Sequence, residues 1–224
     1  MLKKSLSAIL SLVMLLNLYA CGGGGSTAKL DIKGITPLVE YATNQSLESM
    51  GSIPFGVDED SEPLEWVVIK TEGDKALLLS KYILNADGYE ESQPSVTWET
   101  SAMRKYLNSE FINKVFSKKD QNAIVNSDVI NNNNAEYGTN CGNNTKDKVF
   151  LLSVDEINEY LKDRAVAKYK NGDSGWYPLR TLGCDNSHVT WIEPSGSLNM
   201  YGGELSGGLI WGGGIRPALW VYYQ

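Results

Sequence analysis

The sequence predicts an α+β domain, and three features along the chain carry that expectation. Two β-rich runs flank a glycine-containing turn early on, apolar residues recur at near-helical spacing in the middle, and short aromatic runs broken by Gly, Pro and Asn fill the part after Gly172. An early hairpin, two or three helices and a loop-rich C-terminal β half make up a single α+β domain.

The hairpin is Leu64-Glu65-Trp66-Val67-Val68-Ile69-Lys70, the turn Thr71-Glu72-Gly73-Asp74, and the return run Lys75 to Tyr82. Thr97 to Asn108 carries Trp98, Ala102, Tyr106 and Leu107 at near-helical spacing, and Phe111, Ile112, Val115 and Phe116 continue the buried pattern. Ser117 with Asp120, and Ser153 with Glu156, have the spacing of helix starts closed by a capping box. Between them Asn126 to Asn144 is rich in asparagine, which by composition reads as a surface loop. Asp147 to Leu152 reads as a buried strand feeding a helix from Val154 to Leu161. Beyond Gly172, strands are expected at Trp176–Arg180, His188–Glu193 and Ser197–Tyr201, with Pro194-Ser195-Gly196 as the turn between the last two. Ile215 to Tyr222 closes the chain as a strand in which Pro217 prefers a strand start or an edge.

The N-terminus reads as an export signal. Lys3 and Lys4 form a positive n-region, Leu6 to Leu16 the apolar h-region, and the small Ala20 precedes Cys21. The apolar run is short for a membrane span of about 20 residues. Leu18-Tyr19-Ala20-Cys21, followed by four glycines, resembles the lipobox of bacterial lipoproteins. The resemblance implies a signal peptide over residues 1–20, diacylglyceryl modification of Cys21, and anchoring to the outer face of the bacterial cell membrane. Two acyl chains anchor stably where one is marginal, each buried CH₂ contributing about 0.8 kcal/mol. Residues 21–51 read as a Gly/Ser-rich tether and 52–224 as the folded domain.

The net charge of −7 becomes −9 once the two signal lysines are gone, and no segment is rich in Lys or Arg, which argues against a nucleic-acid partner. Six Trp and twelve Tyr against four Phe favour rings with a polar tip, a composition suited to interfaces as well as cores. With Cys21 lipidated, Cys141 and Cys184 are the candidates for a disulfide in an oxidising compartment. Such a bridge closes a loop of about 40 residues and contributes about 3–4 kcal/mol on the chain-entropy view.

Several separated segments, taken together, resemble a bacterial family known as domain of unknown function 6273. They are Ile53-Pro54-Phe55-Gly56, Pro63 to Val68, Ala76 to Ser80, Thr97-Trp98-Glu99 with Arg104 and Tyr106-Leu107-Asn108, Asp147 to Ser153, Trp176 to Arg180, and Gly214 to Leu219. The resemblance runs from about Ile53 to the C-terminus. The aromatic-Leu-Arg strand followed by a terminal Gly-Ile-Arg-Pro strand is also similar to bacterial C-type-lectin-like domains and to the formylglycine-generating sulfatase-modifying fold. That similarity implies a C-type-lectin-like domain whose first and last strands pair while a long loop region carries function. Fold analogy does not fix function, and the family supplies no catalytic residue.

Candidate chemistry is sparse. Cys184-Asp185-Asn186-Ser187-His188 holds the single histidine, and a thiolate–imidazole pair is a nucleophile. No orienting group is recognisable outside these residues, and Cys141 and Cys184 read more naturally as a disulfide. Glu193-Pro194-Ser195 is similar to the calcium-binding Glu-Pro-Asn of sugar-binding lectins, but without the companion Trp-Asn-Asp segment it reads as a hairpin turn, so calcium is weakly supported and no other cofactor or metal site is expected. The glycine pairs and triplet between Gly202 and Gly214 lack the Lys-Ser/Thr of a phosphate loop. Arg180 and Arg216, flanked by buried-looking strands, are expected to form structural ion pairs. Trp176, Tyr177, Trp191, Tyr201 and Trp211 are the candidate ligand-binding aromatics of the loop-rich half.

The residues favour noncatalytic binding of a glycan, cell-wall or protein ligand over catalysis. The alternatives are a thiol-dependent or sulfatase-modifying-like enzyme using Cys184, and a structural envelope lipoprotein. A Cys21→Ser chain is expected to leave the membrane fraction; cell fractionation of the variant beside the native chain checks this.

Overall fold

The computed structural model describes residues 28–41, 46–85, 95–205 and 214–224. Order begins earlier than the tether expected over 21–51. Leu30 bridges Tyr223, its N–H donating to Tyr222 O at 2.8 Å, and Leu38, Leu47 and Met50 are buried in the core. Strand β1 (Ile53–Val57) then pairs antiparallel with β2 (Pro63–Glu72), which turns through Gly73 at φ +60° into β3 (Lys75–Ser80). This is the hairpin read from the sequence. Trp66 to Ile69 and Ala76 to Ser80 are buried at every position, the signature of strands covered on both faces.

The helical middle starts later than its periodicity implies. Trp98–Thr100 is a single 3-10 turn, and Ser101, in an extended conformation, caps helix α1 (Ala102–Tyr106) by accepting from Arg104 N at 3.1 Å. A π turn at Leu107–Phe111 leads into α2 (Ile112–Val115), and α3 (Lys118–Gln121) starts at the expected capping box of Ser117 and Asp120.

The asparagine-rich segment is not the plain surface loop its composition suggests. Its ends form a short hairpin of β4 (Ser127–Val129) and β5 (Thr145–Asp147), and Asn131 and Asn134 within it are buried. The single strand expected over Asp147–Leu152 is split, with β6 (Phe150–Leu151) joining a different sheet from β5. Asn108 accounts for the break: its Oδ1 accepts the Lys148 and Val149 amides at 2.9 and 3.2 Å, and its amide donates to Val149 O at 2.8 Å. Those backbone groups are satisfied by a side chain instead of a neighbouring strand. Helix α4 (Val154–Glu156) begins at the expected Ser153–Glu156 box and continues as a π turn to Leu161.

The remaining strands are β7 (Ala167–Lys168), β8 (Ser174–Gly175), β9 (Tyr177–Leu182), β10 (His188–Ile192), β11 (Leu198–Glu204) and β12 (Pro217–Tyr222). The main sheet runs β1-β2-β3-β12-β6, antiparallel throughout, with Leu219 opposite Leu78 and Ala218 opposite both Leu79 and Phe150. Pro217 takes the strand-start position that its missing N–H allows. A three-stranded sheet, β11-β10-β9, forms the C-terminal half, and two two-stranded ribbons complete a mixed α+β architecture. The β10–β11 turn lies at Pro194–Gly196 as expected, closed by Gly196 N to Glu193 O at 2.8 Å.

Buried ionic groups tie the layers together. Asp147 accepts from Trp98 Nε1 at 3.0 Å, Arg104 Nε at 2.7 Å and Thr145 Oγ1 at 2.6 Å, so helix, hairpin and 3-10 turn meet on one carboxylate. Arg180 forms the expected ion pair, with Glu156. Among the described residues Arg216 meets no carboxylate: its guanidinium donates to Ser80 O and Tyr177 Oη and stacks over the Tyr177 ring. Removing the Asp147 carboxylate strands three donors. Asp147→Ala is expected to lose about 3 kcal/mol, the low end for breaking a buried pair because Arg104 keeps some access to water. Urea unfolding, with a lowered midpoint at unchanged slope, checks it.

Candidate functional site

The loop between β9 and β10 collects the most chemistry on the described surface. Gly183 N donates to His188 O at 2.7 Å and Cys184 N to Tyr201 O at 2.8 Å, so the turn is stitched to its own strand and to β11. Gly183 is required there, because a Cβ would collide with the Tyr201 carbonyl. Asp185 folds the turn. Its Oδ1 accepts from Ser187 N at 2.8 Å, Ser187 Oγ at 2.6 Å and His188 Nδ1 at 2.7 Å, an Asx turn extended onto an imidazole. A carboxylate only accepts, so Nδ1 carries the imidazole proton in the neutral ring and Nε2 is left as an acceptor. The group that orients the imidazole is therefore Asp185, three residues before the histidine and inside the Cys184–His188 string.

These bonds hold the Asp185 carboxyl at a pKa of about 2, the Ser187 hydroxyl acting most strongly and the imidazole next. The Tyr201 phenol has its pKa raised, the neighbouring Cys184 thiol acting most strongly. The donor atoms of Cys184, Asp185 and His188 all lie within 4.8 Å of one another.

A pair of exposed rings borders the cluster. Tyr201 is 57% exposed and Tyr137 42%, and their rings meet edge to face at 6.0 Å, with His188 edge-on to Tyr201 at 5.4 Å. Asn134, only 1% exposed, fixes this arrangement from beneath. Its amide donates to the carbonyls of Leu182 at 2.8 Å, and of Gly183 and Met200 at 3.3 Å, while its Oδ1 accepts the Glu136 and Tyr137 amides. Thr139 Oγ1 adds a bond to Gly183 O at 2.8 Å. Tyr137 and Asn134 escaped the sequence analysis because both lie in the segment read as a loop by composition.

The other expected site residues are dispersed. Cys141 and Cys184 are free thiols, so the pairing expected between them is not made in the structure. Cys141 is buried, with Sγ accepting from Leu182 N at 3.4 Å, and burial pushes its pKa up. Tyr177 belongs to the core, its hydroxyl donating to Ala165 O at 2.6 Å, and is not a surface aromatic. Trp176 and Trp191 form a half-buried pair at 5.6 Å, the Trp191 ring packed over Gly203. Trp211 and Cys21 lie outside the described residues. Glu193 accepts from Asn199 at 3.1 Å within its hairpin, and it is not part of the Cys184 cluster.

The Asp185 turn has a pH signature. Because its carboxyl pKa is depressed in the folded chain, its bonds contribute above the ordinary value of 3.8 and are lost as pH falls through about 2. In an NMR titration the Ser187 amide and the His188 ring are expected to report an event near pH 2, and in Asp185→Asn that event disappears.

No curated protein and no solved structure matches this chain. The family described as domain of unknown function (DUF6273) matches residues 73–223, from the β2–β3 turn almost to the C-terminus. Ile53–Gly56 and Pro63–Val68, which also carried the resemblance, precede the matched stretch. With well over half of its length matched, the chain belongs to the DUF6273 family.

Proposed function

We propose that this protein is an exported lipoprotein, anchored through Cys21 at the outer face of the cell membrane, whose C-type-lectin-like domain binds a glycan ligand of the envelope without transforming it. The observation that carries the reading is the exposed Tyr137–Tyr201 pair, immobilised by the buried Asn134. Aromatic faces with a polar tip suit the alternating apolar and hydroxylated faces of a sugar ring, and rigid anchors lose little entropy on binding. The lectin-like comparison draws support from the placement of the final strand β12 beside the early hairpin, with a separate three-stranded half bearing the loops. Export and anchoring rest on the N-terminal segment, outside the described residues.

A second reading, thiol-dependent chemistry at Cys184, is favoured by one feature, the imidazole oriented by Asp185 beside a free and partly exposed thiol. The binding reading takes precedence because the paired Tyr137 and Tyr201 rings are the more exposed groups of this surface, beside a half-buried thiol.

The test is retention of the chain on a panel of glycans and cell-wall fragments, with and without calcium. Tyr137→Ala and Tyr201→Ala are each expected to weaken selective retention about tenfold, roughly 1.4 kcal/mol for an aromatic anchor. Trp191→Phe, within the half-buried pair, is expected to leave it unchanged. Retention that survives loss of both tyrosines removes this surface from consideration, and silence across the panel shifts the reading to a protein ligand or to the thiol.

A further inference from the structure

We propose that Cys184, Asp185 and His188 form a binding site for a zinc-type divalent cation. The inference does not depend on the tyrosine surface being a ligand site. One thiol sulfur, one carboxylate oxygen and one imidazole nitrogen lie mutually within 4.8 Å, on a single turn. Around a tetrahedral zinc, with metal–ligand bonds of about 2.0–2.3 Å, donor atoms stand about 3.5 Å apart. The cluster therefore reaches ligating geometry by side-chain rotations of about an ångström, without moving the backbone.

The backbone is the preorganised part. Gly183 N to His188 O and Cys184 N to Tyr201 O fix where all three ligands leave the chain, and Asn134 and Thr139 hold the Leu182 and Gly183 carbonyls from the other side. The two Ser187 bonds to Asp185 Oδ1 hold the turn, while the His188 Nδ1 bond to the same oxygen is given up when the ring and the carboxylate take the ion. The Asp185 side chain is 58% exposed, so an entry path from solvent exists.

Ligand softness selects the ion. A thiolate with an imidazole and a single carboxylate suits zinc and the borderline transition metals, whereas calcium and magnesium take shells of oxygen donors. Binding releases the thiol proton, since the thiolate is the ligand. Three protein ligands leave a fourth position for water or a donor group of a second molecule, the arrangement of open zinc sites.

The test uses the full chain, purified in detergent, reduced and stripped with a chelator, then titrated with zinc(II) alone and with cobalt(II) as a spectroscopic substitute. Expected are one equivalent of zinc retained through dialysis and a sulfur-to-cobalt charge-transfer band in the near ultraviolet. Cys184→Ser is expected to abolish the band and His188→Ala to weaken zinc binding at least tenfold, both with native circular dichroism. Cys21→Ser and Cys141→Ser keep the band and the stoichiometry. Asp185→Asn, which retains an acceptor for the turn, weakens binding while preserving the fold. The proposal is overturned if the folded native chain retains no zinc, if Cys184→Ser and His188→Ala bind as the native chain does, or if the band follows Cys21 or Cys141. Glycan retention by the chelated chain is read separately, so failure of either proposal leaves the other standing.

Discussion

The fold depends on a buried guanidinium. Arg180 leaves β9 into the interior and donates to Leu151 O at 2.7 Å, Asn131 Oδ1 at 3.1 Å, Ile130 O at 2.9 Å and the Glu156 carboxylate, while its own amide bonds to Leu152 O. Its plane also lies over the Phe150 ring. A charge taken this far out of water is costly unless its donors are met and a counter-charge stands by, and Arg180 has both. Three separate stretches must therefore arrive together: the asparagine-rich segment, β6 with the start of α4 that follows it, and the first strand of the three-stranded sheet. The Ser153–Glu156 capping box serves this constraint as well as the helix, because Glu156 Oε2 accepts both the Ser153 amide and the Arg180 guanidinium.

The same segment that completes the Arg180 shell also builds the candidate site. Asn131 faces the guanidinium, and three residues later Asn134 grips the Leu182, Gly183 and Met200 carbonyls, so the Cys184 turn is braced by a chain that is itself braced by Arg180. Asparagine suits this role, since one side chain offers both a donor and an acceptor to backbone that no strand can reach. The route runs from a composition that looks disordered, through buried amide bonds, to a surface on which two tyrosines and an imidazole hold fixed positions.

Much of this was legible in the sequence where local chemistry dominates. The β2–β3 hairpin, both capping boxes, the Pro194–Gly196 turn and the strand-start proline are encoded by residues a few positions apart, and each lies where its local pattern placed it. What was not legible depends on partners far along the chain. Asn108 breaks the strand expected at Asp147–Leu152 from about 40 positions away, and Asn134 turns a compositional loop into a packed brace. At the site, the Cys184–His188 string was visible and Asp185 lay within it, but the bond that orients the imidazole follows from an Asx turn that the spacing alone does not display. Tyr177 was misplaced among the surface aromatics because its hydroxyl finds Ala165 O and Arg216 inside the core. Among the segments that carried the resemblance, Trp98 and Arg104 bond to Asp147, Asn108 to Lys148 and Val149, and Arg180 to Leu151 and Leu152. The family pattern is in this respect a record of assembly.

The pairing of Leu30 with the last residues of the chain bears on how the domain is carried. Leu30 N donates to Tyr222 O and Gln224 N to Leu30 O, so the path in and the path out of the domain share one edge of the main sheet. The nine residues from Cys21 to Leu30 span at most about 30 Å when fully extended. Under the proposed lipidation of Cys21 that stretch is a short mooring line for the domain, and Gln224 is held on the same quay, against Leu30.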